Sequence, residues 1–306
     1  MRLADFKYIR AVVEEGNISR AASKLYISQP SLSNAIKKIE QDLGASIFYR
    51  TKNGLVLTHI GTKYFMMANS VLKIYADFEN EIQDIEQLAN GRIHFGITNY
   101  VGSLLLPSLL PTFSDMAPNI DITFEENHTM ELIEKLKLGK IDLAVLHIDK
   151  VQNDDASFNF NYIKSSRFLL ATQKNHPICL DIKKDTSFKY PAIDLKLLEN
   201  ERFILTDHDQ MSRTIARRIF RASGITPTKT LITRNILTAS KLAESGFGVT
   251  FFPEMYLKLI NFENNIDLYT VGDDSITSWD LVVATLNNDY QPRATTAFIE
   301  LIKDLA

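Results

Sequence analysis

Apolar residues in the first 58 positions recur three or four residues apart, which predicts three short helices. The first predicted helix ends at Gly16, and its apolar face consists of Leu3, Phe6, Ile9 and Val13. The second begins after Asn17 as its N-cap and carries Ala21, Ala22 and Leu25. The third begins after Ser28, and its apolar face consists of Leu32, Ile36, Ile39 and Leu43. Two helices joined by a tight turn are typical of a helix-turn-helix motif.

The opposite face of the third predicted helix carries short polar side chains near its start and a lysine further along. Its residues are Pro30, Ser33, Asn34, Lys37 and Gln41. Serine and asparagine can hydrogen-bond base edges in a major groove, and lysine can reach phosphates. A solvated helix face with ordinary capping is the alternative interpretation. The preceding short helix favours DNA recognition.

Residues 47–57 predict two short strands around an Asn-Gly turn, which is a strong local signal for a β-hairpin. Arg50 and Lys52 lie near the tip of this hairpin. The hairpin is therefore predicted to be a wing that contacts the DNA backbone or the minor groove.

Six segments of this head region together resemble the winged helix-turn-helix of the LysR-type transcriptional regulators: residues 21–22, 25–33, 36–40, 43–44, 48–50 and 57–58. The resemblance implies that Gln29, Pro30, Ser33 and Asn34 face bases. It also implies that Lys37, Lys38, Arg50 and Lys52 face phosphates or the minor groove. The candidate DNA-binding residues are Ser28, Gln29, Pro30, Ser31, Ser33, Asn34, Lys37, Lys38, Arg50 and Lys52. The family often has arginine after Ser33, whereas Asn34 favours adenine over guanine, so the usual operator bases are not expected there.

Apolar residues beyond Thr58 step by four and three, which predicts a long helix with a heptad seam. The seam consists of Ile60, Tyr64, Met67, Val71, Ile74 and Phe78, and continues through Ile82, Ile85 and Ala89. A rod of about 30 residues, roughly 45 Å long, cannot bury its seam against so small a head, so a partner helix is predicted. A helix lying on the chain's own larger domain is the alternative. The family resemblance likewise implies a dimerising linker helix, a homodimer and a homotetramer built as a dimer of dimers.

Strand-like and helix-like segments alternate from residue 91 to 306, which predicts parallel sheets with right-handed crossovers. Composition does not decide between one domain and two small lobes. Residues 139–144 and 246–249 with Pro253 resemble the effector domain of the same family, which implies two α/β lobes like those of periplasmic binding proteins. The predicted fold class is α+β multidomain. Its parts are a winged helix-turn-helix (1–58), a linker helix (59–89) and a two-lobed effector-binding domain (91–306), with lobe I at 91–163 and 270–306 and lobe II at 164–269.

Polar residues stand where the predicted strands of this body end, and ligands of open α/β sheets bind beyond the carboxyl ends of strands. The candidate effector-binding residues are Thr98, Asn99, Tyr100, Gly102, Ser103, Asn127, His128, His147, Thr206 and Asp207. Helix starts favour an anionic or strongly polar ligand, whereas Asp207 and Asp209 oppose an anion unless they point outward or bind an amine. Capping and turn formation are the competing interpretation for each residue. Ile236 and Phe251 are predicted either to line the pocket or to belong to the core.

Charge separates the head from the body. The chain has a net charge of −3, but residues 1–58 contain nine basic and five acidic side chains, a net charge of +4. Only the head is therefore expected to meet a polyanion.

Enzyme and metal signatures are absent from the sequence. It contains no G-x-S-x-G, H-E-x-x-H or G-x-x-x-x-G-K-S/T motif. Its six histidines show no short ligand spacing and it has one cysteine, so no catalytic site, metal or cofactor is expected. A single cysteine, no secretory signal and no long apolar run predict a cytoplasmic protein without a membrane segment.

These features predict a LysR-type transcriptional regulator whose promoter binding is modulated by a small-molecule effector in the interlobe cleft. The expected partners are double-stranded promoter DNA, the effector, further copies of the chain and RNA polymerase. The second hypothesis is an enzyme or solute binder built on the two-lobed body, with the head as an accessory. That hypothesis needs a reactive group in the cleft.

Overall fold

The computed structural model describes residues 2–51, 54–84, 91–149, 155–179, 189–208, 210–260, 265–287 and 291–306. Three predicted features lie outside the described residues. They are Lys52 at the predicted wing tip, Asp209, and the end of the predicted linker helix with Ile85 and Ala89.

The head consists of three helices and a two-stranded hairpin, as predicted. Its elements are α1 (Leu3–Glu15), α2 (Ile18–Lys24), α3 (Gln29–Leu43), β1 (Phe48–Thr51) and β2 (Gly54–Leu57). Local chemistry explains where the helices begin. The side chain of Asn17 accepts hydrogen bonds from the N–H groups of Ser19 and Arg20, and the side chain of Ser28 accepts one from Ser31. Gly16 ends α1 at φ 60°, a left-handed conformation that favours glycine.

The long helix α4 (His59–Asp84) has two different apolar faces. One face, formed by Tyr64, Ala68 and Leu72, is buried in the core of the head, with the ring of Tyr64 5.9 Å from that of Phe6. The other face is exposed and consists of Ile60, Met67, Ile74 and Phe78. The predicted seam was wrong in one respect, because Tyr64 is buried in the core of the head, whereas its helix neighbours Ile60 and Met67 are exposed.

The body is built on one mixed sheet, which has nine strands in the described residues. The strands are β3 (Gly91–Ile97), β4 (Ile120–Glu126), β5 (Leu143–Ile148), β6 (Phe158–Gln173), β7 (Arg202–Thr206), β8 (Lys229–Thr233), β9 (Val249–Pro253), β10 (Ile266–Tyr269) and β11 (Ser278–Leu286). The helices are α5 (Asn99–Met116), α6 (Thr129–Lys137), α7 (Met211–Ser223), α8 (Ile236–Glu244), α9 (Asp274–Thr277) and α10 (Arg293–Leu305). The strands run in the order β4-β3-β5-β11-β6-β9-β7-β8, and β10 pairs with β6.

The sheet has two halves that share β6. Lobe I is the half with β3, β4, β5 and β11, and lobe II is the half with β7, β8 and β9. Residues 158–167 of β6 pair with β11, and residues 168–171 pair with β9. Pairing within β3–β4–β5 and within β7–β8–β9 is parallel, as predicted, but every pairing of β6 and β11 is antiparallel. The all-parallel expectation was wrong there, because the chain crosses between the lobes along strands that run against their neighbours.

The turn after α6 connects the body to the linker helix. The ammonium of Lys140 lies 5.9 Å from the centre of the Phe65 ring in α4. Gly139, at φ 62°, lies so close that an added Cβ would be 3.4 Å from Cδ of Lys73. Lobe I therefore contacts the helix that completes the core of the head.

Candidate DNA interface and effector cleft

The two faces of α3 differ sharply in burial. Leu32, Ile36 and Ile39 are buried, whereas Asn34 and Lys37 are exposed. Ser33 is half-buried, and Gln29, Pro30 and Lys38 are exposed. The head thus presents a polar helix face with short side chains at its N-terminal end. In helix-turn-helix proteins, this end of the recognition helix contacts base edges in the major groove.

Ser28 and Ser31 have a local structural role at the start of α3. Their hydroxyl oxygens lie 2.7 Å apart, and the backbone N–H of Ser31 donates to Oγ of Ser28 over 3.3 Å. Both side chains are exposed and form the N-terminal cap. They therefore shape the helix start from which the neighbouring residues project.

Hydrogen bonds connect the hairpin to α3 and to the turn after α1. Oε1 of Glu40 accepts hydrogen bonds from the backbone N–H groups of Ile47 (2.7 Å) and Phe48 (3.2 Å). The N–H of Leu55 donates to the carbonyl of Gly16 over 3.2 Å. Arg50 lies on β1, opposite Leu55, so the backbone brings it to the wing.

Basic residues of the head fall into two groups. Lys24 pairs with Glu14 (2.9 Å) and Glu15 (3.1 Å), and these carboxylates raise the pKa of Lys24. No ion pair of Lys37 or Lys38 is seen in the described part of the chain. Their charges are therefore available to a polyanion.

A cavity of about 360 Å³ lies between the two lobes of the body. Fourteen of the described residues line it: Thr98, Asn99, Tyr100, His128, Thr129, His147, Gln210, Met211, Ser212, Arg234, Asn235, Ile236, Tyr256 and Trp279. Most of them stand at the starts of four helices, α5 and α6 in lobe I and α7 and α8 in lobe II.

Two sets of polar contacts join the lobes beside this cavity. The hydroxyl of Tyr100 donates to Oδ1 of Asn235 (2.9 Å) and accepts from the N–H of Ile236 (3.2 Å), so lobe I helps to cap α8 of lobe II. The guanidinium of Arg218 in α7 pairs with the buried carboxylate of Asp149 over 2.5 Å and donates to the carbonyls of Ile276 and Ser278.

Aromatic rings form the base of the cavity. His147 stacks on Trp279 with ring centres 3.8 Å apart and an interplanar angle of 17°. Tyr256 meets both rings at steep angles. Nε2 of His147 lies 3.1 Å from Sδ of Met255, and Nδ1 lies 3.5 Å from the Tyr256 hydroxyl. Burial lowers the pKa of His147 to about 3, so its imidazole is neutral.

Two protein-family models match the chain. "Bacterial regulatory helix-turn-helix protein, lysR family" matches residues 3–62, and "LysR substrate binding domain" matches residues 86–306. The chain belongs to the LysR family. It is a DNA-binding transcriptional regulator with a substrate-binding domain and not an enzyme.

Individual relatives cover most of the chain at low identity. The HTH-type transcriptional regulator YcgK of Bacillus subtilis is 26% identical over 99% of this chain and 94% of its own length. The hydrogen peroxide-inducible genes activator of Haemophilus influenzae is 25% identical over 83% of this chain and 81% of its own length.

Solved structures share the fold. A full-length OxyR variant from Pseudomonas aeruginosa aligns over 100% of this chain and 94% of its own, with a TM-score of 0.74 and 22% identity. Full-length CbnR in complex with its target DNA aligns over 100% of both chains, with a TM-score of 0.61 and 19% identity.

The cavity of this LysR-family regulator brings together five of the ten candidate effector residues: Thr98, Asn99, Tyr100, His128 and His147. The other five do not line the cavity. Each is either buried in a helix or hydrogen-bonded to a neighbouring group. Gly102 is buried in the first turn of α5, and the hydroxyl of Ser103 donates to the carbonyl of Asn99. Asn127 lies beside the carboxylate of Glu125.

The two remaining candidates stand at the end of β7. The hydroxyl of Thr206 is buried and hydrogen-bonded to that of Ser212 over 2.6 Å. The carboxylate of Asp207 pairs with Arg234 over 3.3 Å and accepts from the N–H of His208. The carboxylate of Asp207 is thus held by the guanidinium of Arg234, a residue that lines the cavity.

Several lining residues were missed by sequence reasoning: Gln210, Met211, Ser212, Arg234, Asn235, Tyr256 and Trp279. Asn235 could have been found, since it follows a strand and caps the next helix. Ile236 lines the cavity, whereas Phe251 belongs to the core.

Two features are absent from the described residues. None of their helices is long and apolar enough to cross a membrane. They contain no group of three or more His, Cys, Asp or Glu side chains that could hold a metal ion.

Proposed function

We propose that this regulator binds double-stranded promoter DNA through α3 and the wing, and that a small-molecule effector in the interlobe cleft modulates that binding. One observation supports the effector site above all others, namely that the cavity is lined by helix starts from both lobes. A ligand there contacts both lobes at once and binds some interlobe arrangements better than others. It can shift the protein's conformational equilibrium by that difference in affinity.

In the head, we assign base contacts to Gln29, Pro30, Ser33 and Asn34. Phosphate or minor-groove contacts belong to Lys37, Lys38, Arg50 and Lys52, of which Lys52 lies outside the described residues. Exposure of Asn34, Lys37 and Lys38 on one side of α3 supports this division.

The second apolar face of α4 supports a homodimer. Ile74 and Phe78 are 66% and 56% exposed, although both are large and apolar. A second copy of α4 packed on this face would bury it and present two α3 helices to half-sites about one turn of DNA apart or a multiple of it. This proposal has three further parts. They are a homotetramer built from two such dimers, contact with RNA polymerase, and a division of the chain into domains at residues 1–58, 59–89 and 91–306.

Helix α6 offers a physical connection between the cleft and the head. Its start, at His128 and Thr129, lines the cavity. The turn beyond its end, at Gly139 and Lys140, contacts α4. A displacement of α6 on effector binding would therefore reach the helix that completes the head core.

DNA binding is tested by a salt series. Lys37→Ala and Lys38→Ala should each reduce the slope of log affinity against log salt by about one, since each removes one phosphate contact. Lys196→Ala, at an exposed position in lobe II, is the matched control and should leave the slope unchanged. Slopes that are equal in all four proteins would contradict the assigned interface.

The effector site is tested on the full chain by thermal-shift screening against metabolites, followed by DNA binding with each hit. A ligand of the folded state raises its stability in proportion to the logarithm of its concentration over Kd. A hit should also change DNA affinity. Stabilising ligands that leave DNA affinity unchanged would contradict the regulatory role of the cleft.

A further inference from the structure

The helix starts around the cleft differ in how their N–H groups are satisfied. The first N–H groups of any helix lack partners within the helix and carry its positive dipole end. In α8, the side chain of Asn235 accepts from the N–H groups of Leu237 and Thr238. In α5, α6 and α7 the N-cap residues Thr98, His128 and Gln210 make no side-chain cap. Three uncapped helix starts from both lobes therefore meet at one cavity.

Two polar side chains at the cavity also lack partners within the described residues. The indole of Trp279 is 95% buried, and its Nε1–H has no acceptor. The hydroxyl of Thr98 has no partner either, although its oxygen is buried. Buried polar groups in native proteins are normally hydrogen-bonded, so unpaired donors at a cavity point to a ligand that supplies acceptors.

The charges around the cavity decide the sign of that ligand. No Asp or Glu is among the described lining residues, and their one formal cation, Arg234, is paired with Asp207. The carboxylate of Glu126 lies against Gly102 in the first turn of α5, but Glu126 does not line the cavity. The field inside is thus set by helix starts, which favour a single negative charge and disfavour an amine.

The base of the cavity indicates the rest of the ligand. His147, Trp279 and Tyr256 line the cavity with aromatic rings that are each at least 95% buried, and His147 carries no charge. An aromatic ring packs against such rings in offset-stacked or edge-to-face arrangements. An inorganic phosphate would make no such contact.

We infer that the cleft binds a small aromatic monocarboxylate, whose carboxylate accepts hydrogen bonds at the uncapped helix starts while its ring lies against the Trp279 and His147 base. The inference rests on the proposed function of the cleft as the effector site. It specifies the chemical class of the effector, which the family alone does not.

The test uses the full chain and a matched set of probes. Phenylacetate carries both features, 2-phenylacetamide lacks the charge, phenethylamine reverses it, cyclohexylacetate lacks the aromatic ring, and inorganic phosphate lacks the apolar part. Trp279 is the single tryptophan of the chain, so its fluorescence reports binding in the cleft directly. At millimolar concentration, phenylacetate should change the emission saturably and raise the melting temperature, cyclohexylacetate less so, and the other three probes not at all.

Two variants locate the carboxylate. Thr98→Val should weaken phenylacetate binding about tenfold or more, since it removes a hydrogen bond to a charged group. Thr112→Val is the matched control, because Thr112 is exposed further along α5 and its hydroxyl bonds to the carbonyl of Ser108. Its affinity for phenylacetate should equal that of the wild type.

The results that overturn the inference are distinct from those that overturn the proposed function. Equal binding of phenylacetate and 2-phenylacetamide, no binding of phenylacetate, or preferential binding of phenethylamine would overturn the carboxylate. The last result would indicate that a carboxylate faces the ligand. If a different chemical class binds the cleft and changes DNA affinity, the proposed function stands and the inference fails. If phenylacetate binds but no ligand of the cleft changes DNA affinity, the inference stands and the proposed function fails.

Discussion

The proposed DNA-contacting face and the proposed effector cleft are built in opposite ways. The face of α3 lies on one helix of 15 consecutive residues, so helical periodicity alone separates its polar side from its buried side. The cleft is assembled from seven separate segments between Thr98 and Trp279. A local site depends on the stability of one helix, whereas a site of distant segments depends on how two lobes are held together.

The two sites also use different electrostatics. In the proposed interface the head uses exposed lysines, whose attraction for DNA is long-ranged and weakened by salt. In the proposed effector site the cleft uses buried donors in a cavity without an acidic residue among its described lining residues, and a hydrogen bond is stronger where the local dielectric is low. Changes at the cleft should therefore alter stability or ligand selectivity, and changes on α3 should alter DNA binding with little effect on stability.

The largest expected effect concerns the ion pair that joins the lobes. Arg218→Met keeps the aliphatic stem but leaves the buried carboxylate of Asp149 without its guanidinium. We expect the free energy of unfolding to fall by about 3–5 kcal/mol, measured by urea denaturation. Arg221→Met, at an exposed position one turn further along α7, should change it by less than about 0.5 kcal/mol. Equal losses in both variants would show that the cleft does not depend on this pair.

The same contrast explains what could be predicted from the sequence. The head was predicted almost completely, since its helices carry caps at Asn17 and Ser28 and a glycine at position 16. Tyr64 was misassigned because a heptad pattern shows that a residue is apolar but not which neighbour covers it. Half of the predicted effector residues reach the cavity, because strand ends mark its rim.

The base of the cleft could not be predicted. Tyr256 and Trp279 are distant in sequence from the other lining residues and carry no local signal beyond being aromatic. Trp279 meets His147 because β11 pairs with β5, with Leu281 opposite His147, whereas Tyr256 comes from the segment that follows β9. That antiparallel register is a property of the whole sheet, and the alternation of strands and helices predicted parallel neighbours instead.

The next effect is on base selectivity. Asn34→Ala should reduce discrimination at one operator position by about 1–3 kcal/mol, and Asn34→Arg should shift the preferred base there toward guanine. Selection of binding sites from random DNA measures both. Gln41→Ala, two turns further along the same exposed face, should leave the profile unchanged. An unaltered profile in both Asn34 variants would remove this residue from the interface.

A smaller effect is expected from His147 as a function of pH. Its pKa is about 3 in the folded protein and about 6.5 when unfolded, so below pH 6.5 the unfolded chain takes up a proton that the folded chain does not. The free energy of unfolding should therefore fall by about 1.4 kcal/mol from this group between pH 7.5 and 5.5. His147→Phe should lose that part of the pH dependence, and His128→Phe, at an exposed histidine, should retain it. Identical pH profiles of the wild type and His147→Phe would show that folding does not lower the pKa of His147.

The smallest expected effect is that of peroxide on DNA affinity. It distinguishes a regulator that senses a ligand in the cleft from one that senses oxidation of a thiol. Some relatives are named hydrogen peroxide-inducible genes activators, but this chain has a single cysteine and cannot form a disulfide within itself. Cys179 is buried, and burial raises the pKa of its thiol, which disfavours the thiolate that would attack peroxide. Peroxide should therefore leave the DNA affinity of the wild type unchanged and equal to that of Cys179→Ala. A peroxide response that disappears in Cys179→Ala would assign sensing to this thiol, whereas a response to ligands that depends on Thr98 would assign it to the cleft.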